Sequence, residues 1–260
     1  MVAKTFKRLL LGKSNPSSIT HRPFLFWLGP GGSRESAGVT KVIIYDEALI
    51  LAKEITDNIQ GRAADSGISL PYVASMAVQA GDGDHLEIGS LFGASAIIVA
   101  MMKEREGLKG NVVCIDPFLP RKVGYQSTAV MTEEELDEKL NSSAEKLIAN
   151  AKMFGVEERI EIIQASSDPF PIKNGRRFST AFIDGDHNED MPAKDFVNCA
   201  KHTDHYIGID NFEEGYPDVY RMGKNVVMLD GWELLYKNMV FVAFRKTLPP
   251  REEGIDLTLL

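Results

Sequence analysis

From residue 85 onward the chain repeats one unit: a short apolar run of strand length, followed by a longer segment with helical spacing. The runs are HLEIG, NVVCID, RIEIIQA, TAFIDGD and HYIGIDN. Near-continuous apolar strands separated by crossover segments are the mark of a parallel sheet covered by helices on both faces. Helices are predicted at 94–104, 132–154 and 191–201, the second opening on a capping box formed by Thr132 and Glu135. The alternation ends at WELLYKNMVFVAFRK, two strand-like runs broken at Lys237-Asn238, which reads as an antiparallel hairpin. The expected fold is α/β: a doubly wound, mostly parallel seven-stranded sheet with a C-terminal antiparallel hairpin.

Residues 1–65 read as an N-terminal extension and helical or loop cap, and 66–260 as the main domain. The extension clusters Pro, Gly and Ser (SNPSS, GPGGSRES) around the aromatic patch FLFW. GPGGSRES lacks the lysine of a phosphate loop. Apolar spacing at Ala48, Leu49, Leu51, Ala52 and Ile55 predicts an amphipathic helix over 46–59, and ISLPYVASMAVQA predicts another whose start is marked by Pro71. Phe24, Phe26 and Trp27 suit either a homodimer contact or a lid.

A net charge of −8 argues against a broad surface that tracks nucleic-acid phosphates. Cys114 and Cys199 are the two cysteines, too few for a disulfide framework or a thiolate metal site, and read as buried free thiols. No apolar stretch approaches the ~18 residues of a membrane span, and LLL near the N-terminus is too short for a signal-peptide core. A cytoplasmic protein is expected, with Lys4, Lys7, Arg8 and Lys13 open to contact with a membrane surface or a partner.

Ligands of doubly wound sheets sit beyond the carboxyl ends of the strands, near the reversal of strand order. Here those ends are polar. LEIGSLFGAS places Glu87, Gly89, Ser90, Gly93 and Ser95 on the turn out of the first strand. A dinucleotide fingerprint demands glycine where Leu91 stands. The Glu-x-Gly-x-x-x-Gly spacing instead resembles the first motif of class I methyltransferases, which bind S-adenosylmethionine. Asp116, closing the second strand, suits a ribose diol through charge-assisted hydrogen bonds. Ser166 and Ser167, with Asp168, suit the adenine edge or else a helix N-cap. Asp186 completes the expected cofactor-binding set.

FIDGDH and IGIDNF end the fourth and fifth strands and gather hard oxygen donors. Clustered anions repel and are costly to desolvate, so Asp184, Asp210 and Asn211 read as ligands of Mg²⁺ or another divalent cation. Helix capping is the competing reading of the two aspartates. From about residue 70 to 245 the chain resembles the metal-dependent O-methyltransferases of the catechol and caffeoyl-coenzyme A type and their macrolide sugar-modifying relatives. That resemblance implies an S-adenosylmethionine-binding domain, a metal held by Asp184 and the Asp210-Asn211 pair, and a catalytic base three residues after the first metal aspartate. His187 occupies that place, where the catechol branch commonly has lysine, and so looks like the sugar-methylating branch; a structural histidine is the alternative. His202 and His205 read as surface residues.

The function implied is O-methylation of a small hydroxylated molecule, a sugar or natural-product diol first and a catechol-like phenol second. Tyr125, Phe212, Tyr216 and Tyr220 are placed to stack on such a ring or to anchor loops. Two other classes compete: a hydroxylase-like or other oxidoreductase on the same fold, and a noncatalytic binding subunit.

Overall fold

The computed structural model describes residues 44–59, 68–118, 143–173, 175–238, 240–247 and 260. The Thr132–Glu135 capping box, Tyr125, the aromatic patch at Phe24, Phe26 and Trp27, the basic N-terminal residues and GPGGSRES lie outside the described residues. In chain order the elements are α1 (Asp46–Asn58), α2 (Leu70–Ala80), β1 (His85–Ile88), α3 (Ala94–Arg105), β2 (Val112–Asp116), α4 (Ser143–Phe154), β3 (Ile160–Gln164), β4 (Phe178–Ile183), α5 (Met191–His202), β5 (Thr203–Ile209), α6 (Pro217–Val226), β6 (Trp232–Lys237) and β7 (Val242–Lys246).

The strands form one seven-stranded sheet in the order β3-β2-β1-β4-β5-β7-β6. β1 pairs in parallel with β2 and β4, and β3 and β5 flank them in parallel. β7 is antiparallel to both β5 and β6, as the hairpin reading required. All five predicted parallel strands are present, though β4 and β5 each begin two residues earlier than the apolar runs suggested. His205 therefore lies within β5, and His202 closes α5 with its Nδ1 2.9 Å from the Arg176 carbonyl oxygen. The surface reading of His202 is corrected, because the helix end tucks its ring against Phe170.

Side-chain alternation divides the strands between two cores. Val112 and Cys114 of β2 and Ala243 of β7 face a cluster with Ala48, Leu51, Ile55, Val73, Ile97, Ile98 and Leu147 from α1, α2, α3 and α4. Val113 and Ile115, with Leu86, Ile88, Ala181, Ile183 and Phe244, face the opposite cluster with Phe196, Cys199, Val219 and Met222 from α5 and α6. With both faces covered, β1, β2 and β4 show no alternation of buried and exposed positions. Both cysteines are buried and free. Among the described residues no helix is long and apolar enough to cross a membrane.

One consequence of β1's register shapes the site. Leu86 and Ile88 point toward α5 and α6, so His85 and Glu87 must point toward α3. Both are completely buried there.

Candidate functional site

Strand order reverses between β1, which continues to β2 and β3, and β4, which continues to β5. The loops leaving β1 and β4 therefore diverge over a crevice, the usual ligand position in such sheets. At its floor the two loops touch. Gly89 has φ +82, and a Cβ there would lie 2.1 Å from the Asp184 carbonyl oxygen and 2.8 Å from the Gly185 Cα. The Asp184 N–H donates to the Ile88 carbonyl at 2.8 Å, locking this approach. Gly89 thus makes room first for the β4 backbone. Gly93, with φ +84, is the N-cap of α3.

Asp116 organises the β1 loop. Its Oδ2 accepts from the backbone N–H groups of Ser90 (2.9 Å) and Leu91 (3.0 Å), and its Oδ1 accepts from Phe118 at 2.7 Å. Leu91 and Phe118 both sit in the left-handed region, at φ 45 and 50. The carboxylate that the sequence assigned to a ribose diol is therefore also the anchor for two left-handed turns. It retains accepting capacity, since a carboxylate offers about four lone-pair positions.

Glu87 lies beneath this loop. Neither carboxylate oxygen has a hydrogen-bond partner of good geometry, and the Ser90 hydroxyl is likewise unpaired. Burial pushes the Glu87 carboxyl up to about 8, against the pull of the nearby Ser95 and Ser90 hydroxyls, and Asp184 and Asp116 add repulsion. The side chain is completely buried.

The β3 loop carries Ser166, whose Oγ accepts from the Asp168 N–H at 3.2 Å, and the buried Ser167. Asp168 instead pairs with Lys194 at 2.9 Å. Asp186 is turned back on its own loop, accepting from the backbone and side-chain N–H groups of Asn188.

On the β4 and β5 side, His187 Nε2 lies 3.3 Å from Asp184 Oδ1. The contact is within ion-pair range but outside hydrogen-bond geometry, so Nε2 is buried without a partner. Tyr216, the residue before α6, holds the imidazole edge-on with ring centroids 4.9 Å apart. Asp210 is 3% exposed, and burial pushes its carboxyl well above the usual range, with Asp184 the largest charge contribution. The Ser69 hydroxyl donates to Asp210 Oδ1 at 2.5 Å. Asn211 follows in a left-handed conformation, φ 55.

The donor chemistry of Asp184, Asp210 and Asn211 fits a hard cation, because two mutually repelling carboxylates and an amide lie on adjacent strand ends. Among the described residues, no group of three or more His, Cys, Asp or Glu side chains is arranged to hold a metal ion.

Residues 86–211 match a methyltransferase domain family. Over that stretch the chain is similar to a methyltransferase domain. The matched stretch runs from β1 to Asn211 and so contains the loops after β1, β2, β3 and β4 and the Asp210-Asn211 pair, but neither Ser69 nor Tyr216. The class I resemblance read from Glu87, Gly89 and Gly93 holds. No curated protein matches the chain. Solved structures similar to this methyltransferase include cofactor-bound Rv0187 from MTB, 20% identical, with a TM-score of 0.51 over 78% of this chain and 90% of that one. The O-methyltransferase TomG from Streptomyces achromogenes, in complex with SAM, is 17% identical, with a TM-score of 0.51 over 78% and 90%. The O-methyltransferase NovP is 16% identical, with a TM-score of 0.53 over 69% and 79%. At these identities the likeness is one of fold.

Two participants were not legible in the sequence. Ser69 read as part of a helix start, yet it is not a side-chain cap and reaches Asp210, 141 residues away. Tyr216 read as a residue that stacks on a substrate ring or anchors its loop, and its contact with His187 was not foreseen. Phe212 and Tyr220 pack on each other at 5.0 Å, with Phe212 buried as a loop anchor.

Proposed function

We propose that this methyltransferase moves the methyl group of S-adenosylmethionine to a hydroxyl oxygen of a small molecule, assisted by a divalent cation, with Mg²⁺ the first choice. The observation that carries the reading is the unpartnered His187 Nε2, buried beside Asp184 on the loop that leaves β4. A buried imidazole nitrogen without a hydrogen bond is costly unless a ligand completes it.

In this reading the β1 loop, with Gly89, Ser90, Gly93 and Ser95, and the β3 loop, with Ser166 and Ser167, hold the nucleoside and amino-acid parts of the cofactor. Asp116 takes the ribose hydroxyls, and Asp186 borders the same pocket. Asp184, Asp210 and Asn211 would hold the cation, which lowers the pKa of a hydroxyl and fixes its direction. His187 Nε2 accepts the hydroxyl proton, and the Asp184 carboxylate stabilises the imidazolium that results. Tyr216 limits rotation of that ring. General-base help is worth about 10²–10⁴-fold, and in-line alignment about 7–11 kcal/mol, so the protein acts chiefly by positioning. A vicinal diol on a sugar or natural product is the preferred substrate class, because histidine stands where the catechol branch has lysine.

Calorimetry with S-adenosylhomocysteine, with and without Mg²⁺ and EDTA, paired with methyl transfer to a panel of diols and catechols, tests this. Cofactor binding that survives EDTA while turnover is abolished, both in EDTA and in Asp210→Ala, is the expected result. Full turnover in chelator removes the cation, and no binding of S-adenosylhomocysteine removes the reading altogether.

A further inference from the structure

Helix α5 carries a carboxyl with no explained role. Asp195 is completely buried, and neither of its oxygens has a hydrogen-bond partner of good geometry. An unpaired buried carboxyl costs stability, and its neighbours on α5, Phe196 and Val197, belong to the apolar core. A residue of that kind at that place therefore answers to something other than packing.

Its surroundings show what. Oδ2 points at the β4 loop, where a Cβ on Gly185 would lie 3.2 Å away, so the carboxyl is in contact with the backbone between Asp184 and Asp186. Ser167, from the β3 loop, is the hydroxyl that acts most on it. The charged groups facing it are Asp186 and His187 on one loop and Asp168 on the other. Lys194, its neighbour on α5, is already engaged by Asp168 and Asp190. Beside that solvent-side ion pair, Asp195 is the buried group of α5 that faces both loops.

We propose that Asp195 is a positioning residue that joins the loop after β3 to the loop after β4, setting Ser166 and Ser167 at a fixed distance from Asp184 and His187. The functional half of this inference rests on the methyl-transfer reading, in which one loop holds the nucleoside and the other the proton acceptor. Burial, with Asp186 and Asp168 adding repulsion, holds the carboxyl above its ordinary range. The carboxyl lies between the Ser167 hydroxyl of one loop and Gly185 of the other, so it is placed to tie them together.

The test is amide hydrogen exchange on the cofactor-free protein, with S-adenosylhomocysteine affinity and kcat and KM for the cofactor measured alongside. Asp195→Leu, which removes the polar group without leaving a large cavity, is expected to raise exchange at 166–168 and 185–188 together by about tenfold, the scale of one net hydrogen bond. The same variant is expected to weaken S-adenosylhomocysteine about tenfold, with exchange in β1, β2 and β4 unchanged. Asp195→Asn, which keeps a donor and an acceptor, is expected to stay within about threefold of wild type. Ser167→Ala must also loosen 185–188, across the join; this arm decides the matter even if Asp195→Leu does not fold. A response confined to residues 166–168 in Ser167→Ala, or wild-type exchange in Asp195→Leu, overturns the inference. Failure of the wild-type protein to bind S-adenosylhomocysteine overturns the methyl-transfer reading alone, since the exchange experiment contains no cofactor.

Discussion

Replacing Gly89 with alanine tests the contact on which the whole crevice rests. The added Cβ would sit 2.1 Å from the Asp184 carbonyl oxygen, 1.3 Å inside an ordinary contact of 3.4 Å (3.4 less 2.1), and every atom it meets is backbone. No side chain can rotate away, so the ends of β1 and β4 must part, stretching the 2.8 Å bond from the Asp184 N–H to the Ile88 carbonyl. The left-handed conformation of a non-glycine residue costs roughly 1–2 kcal/mol, and forced overpacking typically about 1–3 kcal/mol. Near the middle of those ranges the loss is about 3–4 kcal/mol, a large part of the roughly 5–15 kcal/mol that holds a typical domain. For a chain of this size that lowers Tm by about 6–16 °C. Gly107→Ala supplies the control: φ is +68, but nothing lies within 4 Å of the added carbon, so only the backbone cost of about 1–2 kcal/mol remains. Urea and thermal unfolding of the two variants measure the difference. Equal losses would refute the close approach of the two loops, and with it the placement of Asp184 beside the β1 turn.

Two further outcomes follow from groups outside the proton-transfer site. Burial, with the nearby Lys103 charge, holds the His85 imidazole down at about 3. As pH falls below about 6.5 the unfolded chain takes a proton that the folded chain refuses, so stability drops by up to about 1.4 kcal/mol per pH unit from this residue. His85→Gln is expected to flatten that slope in urea titrations between pH 4.5 and 6.5, and an unchanged slope would show that His85 is not the responsible group. Asp116→Ala strips the acceptor from three backbone N–H groups, so amide exchange at Ser90, Leu91 and Phe118 should rise by at least about tenfold; wild-type protection at those amides would remove Asp116 as the loop anchor.

The parallel core of the fold was legible because its central strands β1, β2 and β4 are buried on both faces and so form short segments rich in apolar residues between helical ones. Leu91 at the third position of the turn excluded a dinucleotide site by residue identity alone. The start of β5 was less legible: Thr203 and Asp204 carry no apolar signal, and pairing with Phe178 extends the strand anyway. The site was legible in its residue types but not in its partners. Asp184, His187, Asp210 and Asn211 stand at strand ends, and a sequence identifies strand ends.

What the chain determined by itself is therefore local: which segments are strands, that their polar residues gather at one edge, and that glycine stands at 89 and 93 in the turn after the first strand. Tertiary structure decided the pairings. That Gly89 yields to the Asp184 backbone, that Ser69 reaches Asp210, and that Asp195 lies beneath two loops all depend on which strands become neighbours. Strand order is set by the packing of helices on the two faces of the sheet, an energy summed over the whole core, and no short stretch of sequence encodes it.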